Sequence, residues 1–229
     1  MCLLCVLRVS VVRFFNNLIM KIILIRHGQT GYNKEKIFRG KIDVPLDSTG
    51  ILQTKAIAEK LSSYNIKAIY SSPLKRALET STPIAATFNL DVEIDDKFVD
   101  FDFGEWQGLG LEEVQKKFPD LYCKWLKEPH LVKIPNGESL GLVRERVTEV
   151  INRIIEKNQD TTAIVSHRVI NKVIICAMLS LDNSHFWQIK QDVGAINVIE
   201  YKKGMFIVVS LNDTCHLEKF KQNKKSEDF

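Results

Sequence analysis

Four residues of this 229-residue chain have the types and placement needed to hold and transfer an oxyanion: adjacent Arg26 and His27, then Arg76, and far downstream His167. An arginine fork donates two parallel charge-assisted hydrogen bonds to a phosphate and keeps its charge at any physiological pH. Histidine adds what arginine lacks, because one ring nitrogen can attack phosphorus while the other keeps its proton against a fixed acceptor. Two arginines with two histidines therefore read as an anion site in which one imidazole attacks and the other stabilises. An alkoxide leaves poorly unless it is protonated as its bond breaks, so a carboxylic acid is needed nearby. The stretch Asp100-Phe101-Asp102-Phe103-Gly104-Glu105 offers three.

Residues so far apart can meet only if the fold gathers them, and the hydrophobic pattern says how. Residues 21–25 form a short β-branched run, as in a strand buried on both faces, and it stops at Arg26-His27-Gly28. From Ser48, Leu52, Ala56, Ile57 and Leu61 recur with helical spacing. A second strand over residues 67–70 runs into Ser71-Ser72-Pro73 and a helix carrying Arg76. Later come a long helix over 139–157, a strand over 161–165 ending at Ser166-His167, and a helix over 169–179. Two last strands, 195–201 and 205–210, form a hairpin turned by Lys202-Lys203-Gly204. The expected fold is a three-layer α/β/α sandwich around a mixed, mostly parallel sheet. Ligands of such sheets bind beyond the carboxyl ends of the strands, where three of these strands deliver their polar residues.

One domain over residues 20–217 is expected, with residues 104–137 as a lid over one sheet edge, turned at Pro135-Asn136-Gly137. Residues 1–19 are apolar but broken by Arg8 and Arg13, and they read as an extension outside the fold, an over-called start, with no stable membrane insertion. Residues 218–229 read as a polar tail. A net charge of +4 with scattered lysines points away from a nucleic-acid partner. Five cysteines spread along the chain fit reduced thiols in a cytoplasm, and Cys2-x-x-Cys5 lacks the second pair that a zinc site requires. His130, His185 and His216 read as structural, and Trp106, Phe118, Tyr122, Trp125, Phe186 and Trp187 as packing.

Taken in order, four motifs resemble the histidine phosphatase superfamily, also called phosphoglycerate mutase-like, over nearly all of residues 20–217. They are Arg26-His27-Gly28-Gln29-Thr30 with Asn33, Ser71-Ser72-Pro73-Leu74-Lys75-Arg76-Ala77, Phe103-Gly104-Glu105-Trp106-Gln107-Gly108, and Ser166-His167. The resemblance implies a phosphatase without metal or other cofactor, acting on a small phosphorylated metabolite through a phosphohistidine on His27. It implies that Arg26, Arg76 and His167 grip the phosphoryl oxygens. Gly28, Gln29, Thr30, Asn33, Arg39 and Arg168 complete the expected substrate-contacting set. Where the family usually places a glutamate, four residues before the motif glycine, this chain has Asp100, the expected general acid, with Asp102 and Glu105 close enough to compete. Arg168 follows His167 where the family often has glycine, and it could meet a second anionic group of the substrate. A mutase returning the phosphoryl group to a hydroxyl and a non-catalytic phospho-ligand binder are the alternatives; the short lid favours hydrolysis.

Overall fold

A computed structural model describes residues 19–157 and 160–220; of the extension expected over 1–19 and the tail expected over 218–229, residues 1–18 and 221–229 lie outside the described residues. The strands are β1 (Met20–Arg26), β2 (Ile66–Ser71), β3 (Val92–Ile94), β4 (Thr161–Ser166), β5 (Ile196–Lys202) and β6 (Met205–Asp213). The helices are α1 (Gly31–Glu35), α2 (Ser48–Leu61), α3 (Lys75–Phe88), α4 (Leu111–Lys117), α5 (Pro119–Lys127), α6 (Leu140–Lys157) and α7 (Arg168–Met178). One six-stranded sheet has the order β3-β2-β4-β1-β5-β6. β3, β2, β4 and β1 run parallel, and β5 and β6 follow antiparallel. The sheet is therefore mixed and mostly parallel.

Alternation along β1 shows why the layers form. Ile22 and Leu24 face one side, packing with Val143, Val147 and Val150 of α6 and Ile170, Val173 and Ile174 of α7. Ile23 and Ile25 face the other, against Ile57 and Leu61 of α2 and Ala77 and Ile84 of α3. Each such residue contributes about 1.5–3 kcal/mol when fully removed from water, so the strand is held from both sides. Residues 104–137 do not build a core of their own. Trp106, Val114, Tyr122 and Trp125 join the cluster on the α6–α7 face, where Phe101, Phe103 and Phe186 meet them edge to face or tilted.

The sequence reading differs from the structure at several ends. α2 begins at Ser48 as expected, and Asp47 caps it by accepting from the Gly50 N–H. α1 is too short to show a period and has no buried residue, so no hydrophobic signal marks it. A helical turn at Cys215–Phe220 carries order past residue 217, with Leu217 buried against Gly194. Among the described residues no helix is long and apolar enough to cross a membrane.

Candidate active site

Arg26 ends β1 and His27 follows it, Arg76 lies in the first turn of α3 after β2, and His167 caps α7 after β4. The strand ends are tied to one another. The His27 N–H donates to the Ser166 carbonyl at 3.0 Å, and the Ser72 N–H donates to the Val165 carbonyl at 3.0 Å. The three parallel strands thus deliver their polar residues to one place, toward which the positive ends of α3 and α7 also point. His27 and His167 lie with ring centroids 5.2 Å apart.

Chemistry fixes the tautomer of His27. Nδ1–H donates to the Gly28 carbonyl at 2.6 Å, since that oxygen can only accept. The lone pair then resides on Nε2, which accepts from Arg39 Nη2 at 3.0 Å. Burial, followed by the charges of Arg39, Arg76, His167 and Arg26, pushes the His27 pKa well below its ordinary 6.5, so the ring is neutral. His167 is lowered in the same way, by burial first and with Asp100 opposing.

Asp100 is the carboxylate that the fold brings in. Its Oδ2 accepts from Arg76 Nη2 at 2.9 Å and lies 3.6 Å from His167 Nδ1, and its Oδ1 accepts the Phe101 N–H at 2.9 Å. Burial works against its charge, but His167, Arg76, Arg39 and the Phe101 N–H outweigh burial and hold the pKa at about 2. The expected proton donor is therefore ionised in this arrangement. The competitors are spent elsewhere. Asp102 accepts from Gly104 N–H and pairs with Lys41 at 3.1 Å, while exposed Glu105 accepts from Asn136.

Arg26, Arg39, Arg76 and Asp100 are all buried. Three buried guanidiniums around one carboxylate make the site cationic, which suits a phosphate dianion. Arg76 is held by the Gly40 and Ile42 carbonyls at 2.8 and 3.0 Å, and Arg26 by that of Gln191 at 2.5 Å.

The other expected contacts divide. Buried Thr30 donates through its N–H and hydroxyl to Asn33 Oδ1, which binds the two into one corner of the loop. Half-buried Arg168 opens α7, and its charge acts on Arg39 and on Tyr122. Gln29 is turned away: its amide donates to Asp47 Oδ2 at 2.9 Å and its N–H to Gln53. Gly28 serves by packing, since a Cβ there would stand 2.9 Å from the Gly50 carbonyl. Two supporting residues carry no sequence expectation. Thr80 accepts the Gly28 N–H at 3.1 Å while donating to the Arg76 carbonyl, and Ser72 Oγ lies 2.7 Å from His167 Nε2. The i,i+4 spacing of Arg76 and Thr80 on one helix face is the signal that could have found the first.

A mixed α/β/α fold with an uncharged imidazole nitrogen set among buried arginines defines a phosphoryl-transfer enzyme of the phosphohistidine class. The chain belongs to the histidine phosphatase superfamily (branch 1), which it matches over residues 22–214. It is 36% identical over 202 residues to phosphoserine phosphatase 1 of Hydrogenobacter thermophilus, an alignment covering 88% of this chain and 96% of that one. It is 28% identical over 204 residues to a metal-independent phosphoserine phosphatase of Arabidopsis thaliana, covering 87% and 84%. A solved phosphoserine phosphatase of Entamoeba histolytica, a histidine-to-alanine mutant in complex with phosphoserine, superposes with a TM-score of 0.78 at 28% identity over 86% of this chain and 99% of that one. This chain is a phosphomonoester hydrolase of that superfamily.

Proposed function

We propose that the protein hydrolyses phosphoserine, a small phosphorylated metabolite, with His27 as nucleophile. The observation that carries the reading is the His27 ring itself: neutral, locked by Gly28, with Nε2 set against Arg39 among buried arginines. Nε2 forms a bond to phosphorus as the bond to the serine oxygen breaks, and the electron pair leaves on that oxygen, which takes a proton from Asp100. Water then attacks the phosphohistidine, returns a proton to Asp100, and frees His27 and inorganic phosphate. Arg26, Arg76 and His167 hold the phosphoryl oxygens through both steps, with Thr30 and Asn33 beside them.

Three relatives named for phosphoserine support the substrate. So does Arg168 at the start of α7, whose charge acts on Arg39 and Tyr122, since a cation there can meet the carboxylate of an amino acid. The free thiols of Cys123 and Cys176 fit a reducing compartment and support a cytoplasmic place of work. The test is turnover of phosphoserine and of an aryl phosphate with chelator present, by the wild type and by His27→Ala, together with alkaline detergent quenching of reactions with radiolabelled substrate. The expected result is an alkali-stable, acid-labile label on the wild type and none on His27→Ala, whose activity is lost. Turnover surviving His27→Ala would rule the mechanism out.

A further inference from the structure

Arg39 stands on the loop between α1 and α2, and its backbone is anchored on both sides. Phe38 is buried against Phe103 and Trp106, with ring centroids 5.1 and 5.3 Å away. Its N–H donates to the Leu109 carbonyl, and its own carbonyl accepts from Gly108. Gly40, at φ +50, lies so close to Phe101 that a Cβ would stand 2.8 Å from that residue's carbonyl, and its carbonyl accepts from Arg76. Only the Arg39 side chain is left to move.

That side chain sits on the atom that has to react. A lone pair accepting a hydrogen bond cannot at the same time attack phosphorus, and Arg39 Nη2 is 3.0 Å from Nε2 of His27. Its own environment is poor in acceptors. Arg39 Nε is buried without a hydrogen-bond partner, and both oxygens of Asp100 are engaged, by Arg76 and by the Phe101 N–H. We propose that Arg39 is a displaceable cap on the nucleophile, covering Nε2 in the empty enzyme and passing to a phosphoryl oxygen when substrate enters. This inference rests on the reading above that Nε2 of His27 attacks phosphorus.

Two consequences follow from the charge and reach of the guanidinium. With a cation at hydrogen-bond distance, Nε2 is kept from taking a proton, so the nucleophile survives acidification that would disable a free imidazole. The arriving dianion offers strong acceptors to an under-satisfied fork, so binding and unmasking become one event. Arg39 itself undergoes no covalent change.

The experiment uses ¹⁵N NMR of His27 in the full chain with inorganic phosphate as probe, alongside pH profiles of Arg39→Met and Arg39→Lys. In the empty wild type, Nε2 should resonate as an unprotonated nitrogen accepting a hydrogen bond. It should move to the free position in Arg39→Met, and in the wild type on saturation with phosphate. The KM for an aryl phosphate should rise about tenfold or more in Arg39→Met, as for loss of one charged hydrogen bond. The acid limb of kcat/KM should shift to higher pH in Arg39→Met and back in Arg39→Lys; substrate ionisation is common to all three and cancels. A residue that merely packs the loop would lower Tm and leave that limb in place. An Nε2 signal and acid limb the same in wild type and Arg39→Met would overturn the proposal. Should Arg39→Met fail to fold, an Nε2 resonance unmoved by saturating phosphate in the wild type would do so. Loss of activity in His27→Ala together with either negative result leaves the nucleophile assignment standing and removes only the cap.

Discussion

Asp100 has to serve in two protonation states, and its surroundings show how. Among these partners its pKa is about 2, so at neutral pH it carries no proton to give. A phosphate dianion entering beside it draws on the same arginines and adds negative charge, and both effects raise the carboxyl pKa toward that of a usable acid. Asp100 then takes up a proton from solvent as the dianion binds. On this account Asp100→Asn should lose about 10²–10⁴-fold in kcat on phosphoserine, whose alkoxide needs a proton, and much less on an aryl phosphate whose phenolate leaves unaided. Equal losses on both esters, measured at saturation, would remove Asp100 from the proton-transfer role. The gathering of Arg26, His27, Arg76, His167 and Asp100 was legible because each follows a recognisable strand end or motif. Gln29 was not, because whether an amide faces substrate or Asp47 depends on a helix cap nearly twenty residues away. Thr80 was hidden for a similar reason. Its hydroxyl bridges Gly28 and Arg76, and Thr80→Val, matched in shape, should cost about 1–3 kcal/mol by leaving the Gly28 N–H unpaired. Urea unfolding would measure that loss, and an unchanged midpoint would mean the bridge is dispensable.

At the scale of elements, the site depends on loops pressed together at glycines. The loop after β1 and the first turn of α2 touch at Gly28 and Gly50, where a Cβ on Gly50 would fall 2.1 Å from the Gln29 carbonyl. A second contact holds the segment bearing Asp100. Gly104, at φ +46, meets Gly137 and the Pro135 carbonyl, while Glu105 N–H and Glu138 N–H donate across to Pro135 and Asp102. The turn at Pro135-Asn136-Gly137, legible as a chain reversal, thus also clamps the catalytic segment, a pairing of residues some thirty positions apart that no local pattern carries. Gly50→Ala should force the β1 loop outward, destabilising by about 1–3 kcal/mol as overpacking does and lowering kcat through a displaced His27. Thermal melts and single-turnover rates would read the two effects, and a variant with wild-type values for both would show that the contact yields without consequence. The helices and strands themselves were readable because their apolar spacing is strong. α1 was not, since a five-residue helix with no buried side chain leaves no hydrophobic period to detect.

Over the whole molecule, the formal charge of +4 says little about the site, because the fold creates the cationic interior by burying three arginines around one carboxylate. That arrangement makes stability depend on pH in two windows. His27 and His167 have folded pKa values below 6.5, so unfolding takes up protons once the pH falls beneath that value. Each histidine should then remove stability at up to about 1.4 kcal/mol per pH unit on acidification. Asp100 acts lower. Its folded pKa of about 2 lies below the unfolded carboxylate value, so its contribution is complete above about pH 4 and disappears toward pH 2. Urea titrations of the wild type from pH 7.5 to 5 should show a falling free energy, and replacing both His27 and His167 by Gln should flatten the slope over that range. An equally steep slope in the double variant would place the proton uptake on other groups. Inorganic phosphate gives the complementary reading. A dianion compensates the buried arginines, so saturating phosphate should raise the urea midpoint at neutral pH, and a midpoint that phosphate leaves unmoved would mean that the arginines do not take up the anion.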